Sequence, residues 1–227
     1  MYPIQGTPAR NRQDKRQNME SVKNKIKLMP PAGVSRIVLH SCCAPCSSAI
    51  IEALLYNGIT PLIYYCNPNI YPFDEYLKRK DEITAYAGKL GLEVADGDYD
   101  HDSWLASVTA IAGREDEPER GARCLDCFTH RLLQAARFTR EKGYAVFTTT
   151  LASSRWKDIN QICAAGRAAA AAVGDVIFWE QNWRKGGLYE RRNYLLKEEK
   201  FYNQQYCGCE YSLRNMQKHR SGKEEGK

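Results

Sequence analysis

Nine cysteines stand in the 227 residues, and seven of them fall into three groups: Cys42/Cys43/Cys46, Cys124/Cys127 and Cys207/Cys209. The total is odd, and the polar, basic residues 1–30 contain no apolar leader segment, so a secreted disulfide framework is not expected. Thiols grouped this way in a reducing compartment read as metal ligands or redox groups. In Cys124-Leu125-Asp126-Cys127 the spacing lets both thiols reach one metal or one cluster from a helix start, where the backbone dipole favours thiolate. Together with Cys42 and Cys43 they make a set of four sulfurs that suits tetrahedral zinc or an iron–sulfur cluster, and the residues alone do not choose between the two. Adjacent cysteines on an extended chain point to opposite faces, so the backbone must turn at Ala44-Pro45 for both to serve one site. Cys207-Gly208-Cys209 is a different device. Its glycine permits the tight backbone of a strained, easily reduced disulfide, a reversible electron store, with two further metal ligands as the competing reading. Cys66 and Cys163 stand alone and read as small packed hydrophobes.

The elements that must position these thiols alternate. Strands are expected over residues 36–41, 61–66, 92–95, 144–148 and 176–179, and helices over 47–56, 73–90, 102–112, 124–142 and 156–173. Such alternation implies an open, mostly parallel sheet of about five strands with helices on both faces, a Rossmann-like α/β fold. The first cysteine group then follows a strand at its carboxyl end, where ligands of open α/β sheets bind. Residues 1–30 lack periodicity and are expected to be a disordered basic arm apart from some helix near 21–28; residues 31–212 form one α/β domain, and 213–227 a flexible basic tail.

The formal net charge of +6 is unevenly placed. Residues 1–30 carry +5 and residues 213–227 carry +3, leaving −2 on the body. Basic arms on a near-neutral core supply sequence-independent attraction to phosphate backbones, or serve simply as solvated tails. No run approaches the roughly 20 apolar residues of a membrane span, so a soluble, cytoplasmic protein is expected.

The motifs resemble those of QueH-type epoxyqueuosine reductases. The likeness runs through Cys42-Cys43-Ala44-Pro45-Cys46, Asn67-Pro68-Asn69-Ile70-Tyr71-Pro72 with Glu75-Tyr76 and Arg79, and Arg123-Cys124 with Cys127-Phe128 and Arg131-Leu132. It continues through Phe147-Thr148-Thr149-Thr150-Leu151 with Ser153-Ser154 and Lys157, Trp183-Arg184-Lys185-Gly186-Gly187, and Tyr206-Cys207-Gly208-Cys209 with Ser212. The resemblance implies a cobalamin-independent oxidoreductase that converts epoxyqueuosine to queuosine at the wobble position of tRNA, the last step of queuosine biosynthesis. It also implies a [4Fe-4S] cluster on Cys42, Cys43, Cys124 and Cys127, a redox-active Cys207/Cys209 pair, a low-potential electron donor, and a second mononuclear iron for which Cys46 is a candidate ligand.

Other polar residues suit a flipped anticodon base and its phosphates. Asn69 and Glu75 are candidates for hydrogen bonds to the modified base; Arg123, Arg131, Lys157, Arg184 and Lys185 for phosphates; and Tyr71 or Trp183 for stacking. Each has a plain structural alternative, as turn, helix-start or core residue. His40 is either a proton relay or a satisfied strand histidine. The sheet order also resembles the nucleotide-binding fold of tRNA-modifying ATP pyrophosphatases. Where their phosphate loop needs glycines this chain has Ser41-Cys42-Cys43-Ala44, which disfavours ATP use. A thiol-disulfide oxidoreductase and a zinc-stabilised RNA-binding module without catalysis are the remaining alternatives.

Overall fold

The computed structural model describes residues 26–224. Five strands, β1 (Arg36–His40), β2 (Thr60–Tyr65), β3 (Val94–Asp96), β4 (Val146–Thr149) and β5 (Ile177–Phe178), form one sheet in the order β3-β2-β1-β4-β5. All four pairings are parallel. Seven α-helices accompany them: α1 (Ala44–Tyr56), α2 (Phe73–Lys89), α3 (His101–Thr109), α4 (Ala122–Glu141), α5 (Ile159–Val173), α6 (Leu188–Glu198) and α7 (Glu210–Glu224). The expected α/β class with an open parallel sheet is therefore the fold observed.

The strand order explains where a site must form. From β1 the chain steps outward through α1 to β2 and through α2 to β3, then returns across the sheet to β4 and steps the other way through α5 to β5. Right-handed crossovers that reverse direction place their helices on opposite faces, and the reversal opens a crevice between β1 and β4 at their carboxyl ends. The helix contacts agree: α1 packs with α2 and α6, while α4 packs with α3 and α5. In β1, Ile37, Val38 and Leu39 are completely buried, as are Ile50, Ile51 and Leu54 of α1, so this central strand and helix form the middle of the core. On the other face Gly166 of α5 lets Phe178 pass; a Cβ there would lie 2.3 Å from the ring.

Several boundaries differ from those the sequence suggests, with identifiable causes. Helix α5 begins at Ile159 instead of 156, because the Asp158 carboxylate accepts from the amides of Asn160 and Gln161 and caps it. Trp156 and Lys157 are thereby left on a loop. The basic arm does not extend to residue 30: the Leu28 amide donates to Asn57 Oδ1 at 2.9 Å, and the Asn57 amide group donates to the Ile26 carbonyl at 3.0 Å. Residues 26–30 are not helical, and the rest of the arm, with most of the helix expected near 21–28, lies outside the described residues. Helix α6 has no counterpart in the sequence expectation, and α7 occupies the start of the segment read as a flexible tail. Among the described residues no helix is long and apolar enough to cross a membrane.

Candidate functional site

Strand β1 ends at His40, and Ser41 and Cys42 carry the chain over the crevice to Cys43, which stands immediately before α1 in extended conformation. This turn is held from several sides. The Ser41 amide donates to the Tyr64 carbonyl, the Ser47 hydroxyl donates to the Cys43 carbonyl, and the Cys42 amide donates to Thr150 Oγ1 just beyond β4 at 3.1 Å. The turn brings the three sulfurs of Cys42, Cys43 and Cys46 within 4.8 Å of one another, all buried, with Cys42 and Cys43 sulfurs 3.9 Å apart. A turn at Ala44-Pro45 was the condition for the two adjacent thiols to cooperate, and the helix start at Ala44 supplies it. Hydrogen bonds from Cys43 and Cys46, then the Lys157 ammonium, hold Cys42 well below the usual thiol range, while Cys43 and Cys46 are pushed up.

His40 lies beneath this turn. Its Nε2 is 3.1 Å from the Cys66 carbonyl and its Nδ1 2.8 Å from Thr149 Oγ1. A carbonyl only accepts, so Nε2 carries the proton and Nδ1 accepts from the hydroxyl. Burial, reinforced by the Arg131 charge, pulls the imidazole pKa down to about 3 and keeps it neutral. It is a satisfied core histidine, the structural alternative of the two readings.

A second set of thiols faces a cavity of about 780 Å³ lined by Cys124, Cys127, Cys207 and Cys209. Cys124 and Cys127 sit in the first two turns of α4, and the Arg120 amide donates to Cys124 Sγ at 3.3 Å. Cys207 and Cys209 lie on the loop leading into α7, and all the cysteines are free thiols. Gly208 between them has φ +133°, and its would-be Cβ would meet Arg79, Ile70 and Asn69 at 3.1 to 3.4 Å, so a side chain there is strained by conformation and by space. Burial pushes Cys124 up to about 11, and burial with the neighbouring Cys207 pushes Cys209 up to about 12. A small satellite core of Trp104, Val108 and Tyr211, with Cys127 and Cys209 packed against it, joins the two pairs. The buried Trp104 indole N–H has no hydrogen-bond partner; the Arg131 charge and then this nearby N–H counter the upward push of burial on the Cys127 thiol.

Two cations connect the sulfur sets. Arg131 of α4 is almost fully buried and donates to Asn67 Oδ1, while the Asn67 amide group donates to the Ser41 carbonyl at 2.9 Å. This relay ties the helix bearing Cys124 and Cys127 to the turn bearing Cys42 and Cys43. Lys157 borders the cavity; burial works against its charge, but the sulfurs of Cys207, Cys42 and Cys46 outweigh that and raise its pKa.

The other sequence candidates divide. Asn69 is buried on the cavity wall with its Oδ1 unpartnered, a free acceptor at the site. Glu75 instead pairs with Arg79 at 2.7 Å and accepts from Tyr202 at 3.1 Å, and Arg79 donates to the Cys207 and Tyr206 carbonyls, so Glu75 supports the cysteine loop indirectly. Arg123 borders the cavity, but its guanidinium serves the Arg114 and Glu115 carbonyls and lies 4.0 Å from the Tyr211 ring centroid. Arg184 donates to the Lys157 carbonyl at 2.7 Å and so holds Lys157 in place. Trp183 does not stack on anything in the cavity: it is buried edge-on against Trp179, which removes it as a base platform. Tyr71 is 43 % exposed beside His101, outside the cavity lining. Cys66 is buried in the main core and Cys163 is partly buried on α5. Sequence reasoning missed Trp104, Trp156, Tyr211 and the cavity-facing His219 and Arg220 of α7, because none sits in a motif whose spacing signals chemistry; Thr150 sits in a quoted motif, but its bond to the Cys42 amide shows only in the fold.

Comparison with known proteins gives the family. A family model described as Epoxyqueuosine reductase QueH matches residues 37–215. The chain is 47% identical over 211 residues to "Epoxyqueuosine reductase QueH" of Histophilus somni, covering 93% of this chain and 85% of that protein. It is 45% identical over 217 residues to the protein of the same name from Haemophilus influenzae, covering 96% and 86% of the two chains. With the counterpart from Acinetobacter baylyi the identity is 45% over 198 residues, covering 87% and 89%. This chain belongs to the epoxyqueuosine reductase QueH family.

Proposed function

We propose that the chain reduces epoxyqueuosine at the wobble position of tRNA to queuosine, as a cobalamin-independent cytoplasmic enzyme. The observation that carries this reading is one cationic cavity with two thiol pairs in its wall, set at the switch point of the sheet and connected to a buried thiol trio by Arg131 and Asn67. Removing the epoxide oxygen to leave an alkene takes two electrons and two protons, and the oxygen leaves as water. Oxidation of the Cys207/Cys209 dithiol to a disulfide releases the same count, and a low-potential donor from outside the protein resets it. The free amide oxygen of Asn69 accepts a hydrogen bond from the base, and Lys157 holds positive charge where the oxygen departs.

The sulfur-rich donor set fits a soft-metal centre. In this reading Cys42, Cys43, Cys124 and Cys127 hold a [4Fe-4S] cluster, with Cys46 as ligand to a second iron. When bound, the cluster supplies single-electron transfer and Lewis-acid polarisation of the epoxide. One observation favours a second reading, in which the trio alone holds a single ion such as zinc. The 3.9 Å between Cys42 and Cys43 sulfurs is close to the edge of about 3.8 Å in a tetrahedron with metal–sulfur bonds of about 2.3 Å.

The test is anaerobic reconstitution with iron and sulfide, then incubation with epoxyqueuosine-containing tRNA and a low-potential reductant. Mass analysis of the digested nucleosides should show loss of one oxygen, and none with Cys124→Ala. An unchanged nucleoside with the fully loaded wild type contradicts the reading.

A further inference from the structure

The mouth of the cavity carries features that the proposed reduction does not use. Trp156 lies on its rim and is 71 % exposed, whereas Trp104, Trp179 and Trp183 are all buried. The backbone that carries this indole is held in place. Arg120 donates from Nε to the Trp156 carbonyl at 2.8 Å and from Nη2 to the Arg155 carbonyl at 3.3 Å, and Gln161 in turn donates to the Arg120 carbonyl at 2.8 Å. The Arg155 guanidinium lies 5.7 Å from the indole centroid, and at this exposure most of the ring is open to solvent. The same lining includes His219 and Arg220 of α7, the latter donating to Gln205 Oε1 at 3.4 Å. The family match covers residues 37–215, so His219 and Arg220 lie beyond it. The charged lining residues are Arg120, Arg123, Arg131, Lys157 and Arg220 against Glu119 and Asp158, an excess of positive charge before His219 is counted.

An exposed, braced aromatic at a cationic opening is the combination that grips single-stranded nucleic acid: the ring stacks on a base while the cations hold its phosphates. We propose that Trp156 and the end of α7 form a clamp for a nucleotide adjacent to the one in the cavity, Trp156 stacking on its base and Arg220, with His219, holding its phosphate. This rests on the reading that RNA is the substrate, and it adds which groups outside the cavity hold the loop.

The test uses the full chain and an unmodified anticodon stem-loop RNA with guanosine at the wobble position, so that binding is read without reduction. Trp156 is the exposed tryptophan, so stacking should quench intrinsic fluorescence saturably. Trp156→Ala should abolish the quench and weaken binding by roughly 10-fold or more, while Trp156→Phe keeps most of the affinity. Arg220→Gln should lower the slope of log affinity against log salt by about 0.7, the loss of one phosphate contact. Equal affinity of the wild type and Trp156→Ala overturns the clamp, as does equal quenching by heparin, a polyanion without bases. Loss of the nucleoside oxygen without stem-loop binding by the wild type overturns the clamp and leaves the reductase reading standing; stem-loop binding through Trp156 without oxygen loss does the reverse.

Discussion

The two sulfur sets on either side of Arg131 are built by different means. Cys42 and Cys43 are buried in the turn between β1 and α1, whose backbone is hydrogen-bonded on several sides, and Cys46 is buried in the first turn of α1. Cys124, Cys127, Cys207 and Cys209 are partly exposed and face a cavity, and Cys127 and Cys209 rest on the satellite core of Trp104, Val108 and Tyr211. A buried, pre-formed trio suits holding a metal without exposing it, whereas thiols on a cavity wall suit contact with a substrate and with an electron donor. The same residue type serves both ends because the fold sets access and charge.

The widest separation between the two should appear in thiol chemistry of the metal-free protein, between Cys42, held below the ordinary thiol range, and Cys124, raised above it. Because burial holds Cys124 near 11, its thiolate fraction and its alkylation rate should rise about tenfold for each pH unit between 8 and 10. A thiol of ordinary pKa levels off near 9. Peptide-resolved mass spectrometry after timed iodoacetamide treatment reads this, and a plateau below pH 9 at Cys124 would contradict the burial given to it.

Next in size is the connection between the sets. Arg131→Leu leaves Asn67 Oδ1 without its buried donor and should cost about 2 to 3 kcal/mol in urea unfolding, the range for a charged hydrogen bond. A loss under 1 kcal/mol would mean that the two sets are not joined through Asn67. Gly208→Ala acts on one set only. With φ at +133° and contacts at 3.1 to 3.4 Å it should cost about 1 to 2 kcal/mol and raise Cys207 alkylation several-fold while Cys43 is unaffected. Equal changes at both cysteines would erase the distinction. Smallest is Trp104→Phe, which removes the N–H that helps lower the Cys127 thiol pKa and should raise it, measured by its alkylation profile; an unchanged profile would remove the indole from that site.

Sequence reasoning reached the fold because its signals are local. Ile37-Val38-Leu39 before a cysteine turn, and Gly58 and Gly143 after helical stretches, mark the alternation of an α/β sheet. The cysteine groups were legible for the same reason, since ligand spacing within a few residues survives in one dimension. What was not legible depends on contacts across the chain. Nothing adjacent to Glu75 says that its partner Arg79 holds the carbonyls of Cys207 and Tyr206. The charge of residues 213–227 gave a tail, but Tyr211 packs on Trp104 and the start of α7 is thereby anchored. Trp183 looked like a stacking surface in a basic motif, and only packing against Trp179 shows it to be core.

If thiols from both sets share one cluster, iron and acid-labile sulfide in anaerobically reconstituted protein should reach a full complement in the wild type, in Cys207→Ala and in Cys209→Ala, and both should be lost in each of Cys42→Ala, Cys43→Ala, Cys124→Ala and Cys127→Ala. Metal retained in Cys124→Ala and Cys127→Ala but lost in Cys46→Ala would contradict it, and would give the metal to the buried trio alone.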